Sequence, residues 1–430
     1  MEVRAIMASM ANDSEAASGP RPGAGAEPTV RPEDTGSAGG IRLDWPSRGR
    51  PVRLDPATGA LRYVDAVPPP GRLRLEARVA AEGTAAADGT ETAWEADNLL
   101  VEGDNADSLR ALAPAIEGRV DLVYADPPFN SGPSGVLKTP YANTVDHELW
   151  LSMMEERLTL VWRALRPGGS LYLHLDENES HYAKVLLDEI AGRPNFVREI
   201  VWRIGWISGY KATQKNFVRN HDTILYYVKG GGPVTFEKVY VPYPEGYERR
   251  QGAPSKGGGF PLEDTWNASA NDPLHSIQIV SFSKEKTGFP TQKNEALLDR
   301  IVRSSSRPGD LVLDPFGGSG TTGAVAHKRG RRYILLEANR ETVDLCERRL
   351  AQVVAGTDPR GITAAAGWKG GGSFARLRLL AEGETEADTP PRHTPLSATP
   401  SGTGAEARSE AKAAPSEPSG QRRLPLPPWP

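Results

Sequence analysis

The run Val120-Asp121-Leu122-Val123-Tyr124 reads as a buried strand, and it leads into Asp126-Pro127-Pro128-Phe129. Neither proline has an N–H, so a sheet ladder must stop there. Each residue that precedes a proline is pushed out of the helical region, which makes the turn stiff and extended. A carboxylate, free carbonyls and an aromatic ring are thereby held at the C-terminal edge of a sheet, the edge where open α/β sheets bind ligands. A carboxylate and a carbonyl together accept two hydrogen bonds from an exocyclic NH2, and the ring offers a stacking face. The four residues suit the amino group of a nucleobase.

Strand and helix patterns alternate around this turn. Strands are expected at 98–104, 120–124, 170–175, 199–202, 223–228, 310–314 and 332–337. Helices are expected at 107–116, 146–165, 177–191, 294–305, 320–329 and 341–353, with Pro167-Gly168-Gly169 closing the second. This rhythm predicts an α/β fold, a mainly parallel sheet with helices on both faces. It lapses over 230–285, which is rich in Gly, Pro, Tyr and charge. Residues 1–91 and 355–430 are rich in Ala, Gly and Pro with few aliphatic runs, a composition that favours disorder. A short strand pair around 41–64 is the one exception expected there.

The formal net charge of −4 is not that of a protein basic all over, but local patches matter more than totals. The single Cys346 rules out an internal disulfide framework and a Cys-rich zinc site. No metal is expected, because His147, His174, His181 and His221 lack ligand spacing and read as structural or solvated. No apolar stretch approaches the roughly 18 residues of a membrane span, and no signal-peptide h-region is visible. A cytoplasmic protein fits these features.

The second informative segment is Leu311-Val312-Leu313-Asp314-Pro315-Phe316-Gly317-Gly318-Ser319-Gly320-Thr321-Thr322: a strand, a Gly-rich turn and a helix start. The glycines let backbone approach a ligand closely, and the helix N-terminus favours an anionic group. Glu337 ends the next strand about 20 residues on, where a ribose-binding acid sits in nucleotide folds. The segment is neither a P-loop nor the Gly-x-Gly-x-x-Gly fingerprint. A cofactor with a ribose and a carboxylate but no pyrophosphate suits it.

Taken together, the two segments resemble the permuted (beta-group) DNA amino-methyltransferases. There the Asp-Pro-Pro-Phe/Tyr motif precedes the Phe-x-Gly-x-Gly motif, as it does here. The family's Thr-Gly-Phe-Pro-Thr-Gln-Lys-Pro signature is matched by Thr287-Gly288-Phe289-Pro290-Thr291-Gln292-Lys293-Asn294, with Asn294 in place of proline. The resemblance spans roughly 95–230 and 284–352, and is closest to adenine-specific members related to type III modification subunits. It implies a Rossmann-like, seven-stranded methyltransferase fold with circularly permuted motif order. Residues 92–230 would be the catalytic half, 231–285 an inserted target-recognition region and 286–354 the cofactor half.

The resemblance also implies S-adenosyl-L-methionine as cofactor. Asp126 and a motif carbonyl, that of Pro127, would hold the target amine, with Pro128 completing the turn and Phe129 stacking on the flipped base. Phe316, Gly317, Gly318 and Gly320 would line the cofactor path, with Asp314 at the end of the same strand. Glu337 would bind the ribose, Thr291 and Lys293 would face the methionine carboxylate, and Asp104 would meet the adenine. Helix capping is the competing role for Asp104, a surface acid for Glu337 and a solvated lysine for Lys293. Asp126 favours N6 of adenine as the target, with N4 of cytosine as the alternative. An RNA or protein methyltransferase is disfavoured by the motif order, and a non-catalytic DNA-binding relative by the intact motifs.

Duplex DNA is the expected partner; a restriction-system subunit and a homodimer are further partners left open, and a membrane is not among them. Between Arg198 and Lys256 ten Lys/Arg oppose five acids, interleaved with aromatics. Arg203, Lys211, Lys215, Arg249 and Arg250 are the expected DNA contacts. The competing reading makes Trp202, Tyr226 and Tyr227 core residues.

Overall fold

The strand patterns bury alternate residues on opposite faces, and the helices take up both. The computed structural model describes residues 41–55, 58, 60–81, 98–130, 146–204, 215–247, 259–267, 272, 285–380, 384 and 392–396. Three strands come first: β1 (Val52–Leu54), β2 (Leu61–Tyr63) and β3 (Leu73–Ala81). Next are β4 (Asn98–Glu102), α1 (Asn105–Ile116), β5 (Val120–Ala125), α2 (His147–Ala164), β6 (Leu165–Leu175), α3 (Ser180–Leu187), β7 (Phe196–Arg203) and β8 (His221–Val228). The short strands β9 (Tyr240–Pro242), β10 (Gly259–Pro261) and β11 (Thr265–Trp266) precede α4 (Glu295–Ser305), β12 (Leu311–Asp314), α5 (Thr321–Lys328) and β13 (Arg332–Glu337). The last elements are α6 (Arg340–Val354), α7 (Thr363–Ala366), β14 (Ser373–Leu379) and β15 (Arg392–Leu396).

The seven expected strands lie side by side in the order β7-β8-β6-β5-β12-β13-β4. From β6 to β4 every pairing is parallel, while β8 runs antiparallel to both its neighbours. Along β5, Leu122 and Tyr124 face one core and Val123 and Ala125 the other. Helices α1, α2 and α3 cover the Val123 side through Leu109, Leu112, Trp150, Met153, Leu158 and Leu186. Helices α4, α5 and α6 cover the opposite side through Leu297, Ile301, Val325, Val343 and Leu350. Each of the helices α1, α2, α4 and α6 begins at an Asp or Asn whose side chain accepts from a first-turn N–H. Asn294 is one of them: its side chain accepts from Leu297 N at 2.9 Å, a bond that proline at this position could not make.

The sheet is wider than seven strands, because four more extend it to eleven. At one edge β11, from the region expected to be a separate insert, pairs in parallel with β7 and buries Trp266. At the other edge β14 joins β4 in parallel, β3 pairs antiparallel with β14, and β15 lies against β3. Both regions read as tails therefore contribute to the sheet, contrary to the expectation of disorder over 1–91 and 355–430. The physical reason is burial on both faces: Ala375 and Leu377 pack into one core and Phe374 into the other, while the Arg and Ser neighbours lower the mean hydropathy of the segment. The expected pair near 41–64 is present as antiparallel β1 and β2. Pro167-Gly168-Gly169 falls inside β6 rather than closing α2. A Cβ on Gly168 would lie 2.1 Å from the Pro233 carbonyl oxygen, so this glycine permits a close backbone approach.

The segment ahead of β1 is clasped to α2. Trp45 donates from its indole to Ser152 Oγ at 2.8 Å, and Arg48 pairs with Glu155 and Glu189, each at 2.8 Å. Arg53 pairs with Asp107 at 2.8 Å and Glu156 at 2.7 Å. Arg157 is the hub: it donates to both oxygens of Asp104, to Asn105 Oδ1 and to the Val52 carbonyl. Among the described residues no helix is long and apolar enough to cross a membrane. Replacing Arg157 by Leu strands the Asp104 carboxylate, so it should cost roughly 3–5 kcal/mol in urea unfolding.

Candidate active site

The site lies where the chain changes direction across the sheet. Strands β5 and β12 are parallel neighbours, with Leu122 opposite Val312 and Val123 opposite Leu313. From β5 the chain crosses to β6 on one side, and from β12 to β13 on the other. That makes the β5–β12 junction a switch point, where a crevice opens beyond the strand ends. The Asp126 turn and the glycine turn both leave from it.

In the first turn, the Pro128 carbonyl accepts from the Trp150 indole at 2.8 Å. Asn130 takes a left-handed conformation and donates to Glu179 Oε1 at 2.7 Å. Phe129 is half-buried and lies 5.6 Å from the His174 ring. Lys293 Nζ donates to Asp126 Oδ1 at 2.9 Å and Oδ2 at 2.7 Å, and sits 4.8 Å from the Phe129 ring centre. A cation thus occupies the two places where a base amine would be gripped: a carboxylate edge and an aromatic face.

Behind Asp126 lies a buried polar chain. His174 is fully enclosed, with Nδ1 2.7 Å from the Tyr124 hydroxyl and Nε2 3.2 Å from Asp222 Oδ2. Burial opposes ionisation of Asp222, but the His174 hydrogen bond and the charges of His174, Arg219 and Lys293 outweigh it, holding its carboxyl below the ordinary range.

In the second turn, Asp314 accepts from Phe316 N at 2.9 Å and Thr322 Oγ1 at 2.5 Å. Burial pushes its pKa up to about 7, against those hydrogen bonds and with a contribution from Asp126 and Glu337. Gly318 N donates to Glu337 Oε2 at 3.0 Å, and Glu337 Oε1 accepts from Asn339 N at 2.8 Å. Gly320 has a left-handed φ of +75°, and a Cβ there would lie 2.5 Å from Cys346 Sγ. Asn105 reaches across to the Pro315 carbonyl at 2.8 Å, which links the Arg157 hub to this turn.

The structure brings Asp126, Phe129 and Lys293 into direct contact, and sets Phe316, Gly317, Gly318, Gly320 and Glu337 on the adjoining strand ends. Three of the expected cofactor residues have partners within the fold. Asp104 caps α1, and its oxygens accept from Ala106 N, Leu54 N and Arg157, so the capping role is present. Asp314 turns both oxygens into its own loop and shapes the turn. Lys293 holds Asp126, while Thr291 is exposed. On the expected DNA face, Arg203 and Lys215 are exposed, whereas Lys211, Arg249 and Arg250 lie outside the described residues. Trp202, Tyr226 and Tyr227 are core residues. The sequence reading missed Tyr124, His174 and Asp222 as parts of the site. The available signal was a histidine inside the otherwise apolar strand Leu171–Leu175.

A carboxylate–Pro–Pro–aromatic turn beside a glycine turn, at the switch point of a parallel sheet, defines a ligand-binding α/β protein. The chain belongs to the DNA methylase family, which matches residues 120–348. It is 27% identical to a probable type III restriction-modification enzyme HindVI Mod subunit of Haemophilus influenzae, over 67% of this chain and 55% of that protein. It is 30% identical to the DNA adenine methyltransferase YhdJ of Escherichia coli, over 57% of this chain and 81% of that protein. A solved DNA modification methylase of Thermus thermophilus, in complex with S-adenosyl-L-methionine, is 21% identical, with a TM-score of 0.40 over 66% of this chain and all of that one. The chain thus spans little more than half the length of the Mod subunit it matches.

The family's methyl donor is S-adenosylmethionine, and the second turn fits such a group. A carboxylate accepts up to about four hydrogen bonds, so Glu337 can hold Gly318 and a ribose together. Gly318 has a left-handed φ of +48°, which favours glycine at the centre of this turn.

The raised value of Asp314 has a stability consequence. Its protonated form stabilises the fold below about pH 4, and this is lost as pH rises through about 7. Asp314→Asn removes the titration. Thermal melts should show the variant above the wild type at about pH 8, by at most about 4 kcal/mol, with the gap closing as pH falls toward about 4.

Proposed function

We propose that this chain transfers a methyl group from S-adenosylmethionine to the N6 amino group of adenine in duplex DNA. The observation that carries the reading is Lys293 held by Asp126 over Phe129, next to the glycine turn, since the cation traces the contacts a target amine requires. The named adenine methyltransferase among the relatives supports the choice of base, as does aspartate at the head of the turn.

S-adenosylmethionine supplies an electrophilic methyl group on a sulfonium. Phe316, the glycine turn and Glu337 would hold it at the ends of β12 and β13. Asp126 and the Pro127 carbonyl accept from the amine and draw its lone pair out of conjugation with the ring, making it nucleophilic. Phe129 stacks on the base, which must leave the duplex to reach the cleft. Positioning and fixed charge supply most of the acceleration. Lys293 yields its place on Asp126 to the arriving amine. Arg203, Lys215 and the basic residues Lys211, Arg249 and Arg250 form the DNA face in this reading. The likeness to a modification subunit makes a restriction-system subunit the partner to seek, in the cytoplasm where bacterial DNA lies.

Nucleoside mass spectrometry on DNA from cells expressing the chain should show N6-methyladenine, and long-read sequencing should place it at one motif. N4-methylcytosine alone would overturn the choice of base. Asp126→Ala should erase the mark while calorimetry still detects S-adenosylmethionine binding; a persistent mark would overturn the role of Asp126. Arg249→Ala with Arg250→Ala should weaken DNA binding and flatten its salt dependence, read by anisotropy across a salt titration.

A further inference from the structure

Every transfer to an amine leaves one proton too many on nitrogen, in a cleft walled by Phe129 and Lys293. As the N–C bond forms, the C–S bond breaks and its electron pair stays on sulfur. The nitrogen must then give up a proton to become a neutral secondary amine. Asp126 is the first acceptor within the site. On one side it is covered by the Lys293 ammonium, which has donors but no acceptor.

On the other side is His174. It is the penultimate residue of β6, which pairs in parallel with β5, so it reaches the same sheet edge as Asp126. Its Nδ1 lies 4.0 Å from Asp126 Oδ1. Asp222, held by Arg219, presents an acceptor oxygen to Nε2. An ionised carboxylate only accepts, so Nε2 carries the hydrogen and Nδ1 is the ring's acceptor, facing the Tyr124 hydroxyl and Asp126. The groups facing His174 are therefore Tyr124 on β5, Asp126 and Phe129 on the turn, Trp202 on β7 and Asp222 on β8. Arg219 and Lys293 lie one partner further out, on Asp222 and Asp126. A buried imidazole with a carboxylate behind it and its acceptor nitrogen toward a second carboxylate is arranged to take a proton.

We propose that His174, backed by Asp222, is a positioning and relay residue that carries the reaction's proton away from Asp126. This rests on the amine-methylation reading above. The proton passes from the amine to Asp126 Oδ1, then from Asp126 to His174 Nδ1. The step needs a shift of about 1 Å to reach hydrogen-bond distance, which the carboxylate is free to make once Lys293 has let go. Tyr124 turns from donor to acceptor, and Asp222 stabilises the imidazolium. Nε2 then gives its proton to Asp222, beside the partly exposed Arg219, where solvent takes it. The ring regains its first tautomer by exchange with solvent when product leaves.

The test uses the full chain with S-adenosylmethionine and plasmid DNA. Methyl incorporation is followed by rapid quench, and proton release by stopped flow with an indicator dye in weak buffer. In the wild type, protons should appear in step with methyl groups. In His174→Gln, which keeps a donor toward Asp222 but has no basic nitrogen, proton release should lag methyl transfer by about tenfold or more. Asp222→Asn keeps the shape, removes the anion and should lag as well; it decides the matter if the first variant fails to fold. Release in step with transfer in the folded variants overturns the relay alone. Absence of methyl incorporation by the wild type overturns the underlying reading and the relay with it.

Discussion

The site depends on the parallel contact of β5 with β12. The two motifs come from distant parts of the chain, and neither has a ligand-binding geometry alone. Pairing Leu122 with Val312 and Val123 with Leu313 puts both strand ends at one level. The contact is pinned at its other end, where Asp121 accepts from Leu311 N at 2.8 Å and from Arg166 at 2.5 Å. Because side chains alternate along a strand, a slip of one residue would invert both cores. Register is thus fixed by packing on two faces, and the site inherits that precision.

The sheet edge gathers four carboxylates, and each is treated differently by its surroundings. Asp126 is paired with a lysine and stays within reach of a ligand. Asp314 is enclosed with only hydroxyl and amide donors and drifts toward neutrality. Asp222 is enclosed with a histidine and an arginine and stays ionised. Glu337 accepts from two backbone N–H groups while ending a strand. Four acids so close together would repel one another strongly if all were charged and unpaired. Distinct partners let one edge hold an ion-paired acid, a loop brace that drifts toward neutrality, a charged acid behind a histidine and an acceptor of backbone N–H groups.

Much of this was legible in the sequence, for identifiable reasons. Five of the seven central strands are followed within two residues by Gly or Pro, and the two turns carry residues whose backbone demands are unusual. Asp104 was ambiguous because an N-cap and a ligand contact ask for the same residue at the same strand end. The outer strands were hidden by composition: Leu73–Ala81 and Ser373–Leu379 intersperse Leu, Ala, Val or Phe with Arg, Glu or Ser, which averages to a polar tail although both strands pack apolar side chains into the two cores. The clasp of residues 41–55 rests on arginine–carboxylate pairs to helices α1 and α2 and to Glu189, and a single sequence does not reveal such distant partners. His174 escaped because a histidine is read from its spacing to other ligands, whereas here its partners are a tyrosine, an aspartate and a turn on other strands.

Strand β3 sits between β14 and β15, both contributed by the far end of the chain. Residues 73–81 leave the ribosome nearly 300 residues before the strands that flank them. Until then their backbone groups have only water or a foreign strand to bond with. The charges at Arg74, Glu76 and Arg78 then act as guards against wrong pairing during synthesis. A pairing of such long sequence separation also slows closure of that edge. The outer strands of the sheet are in this sense a seal applied late, and a chain cut short before β14 would carry an open, adhesive flank beside a finished centre.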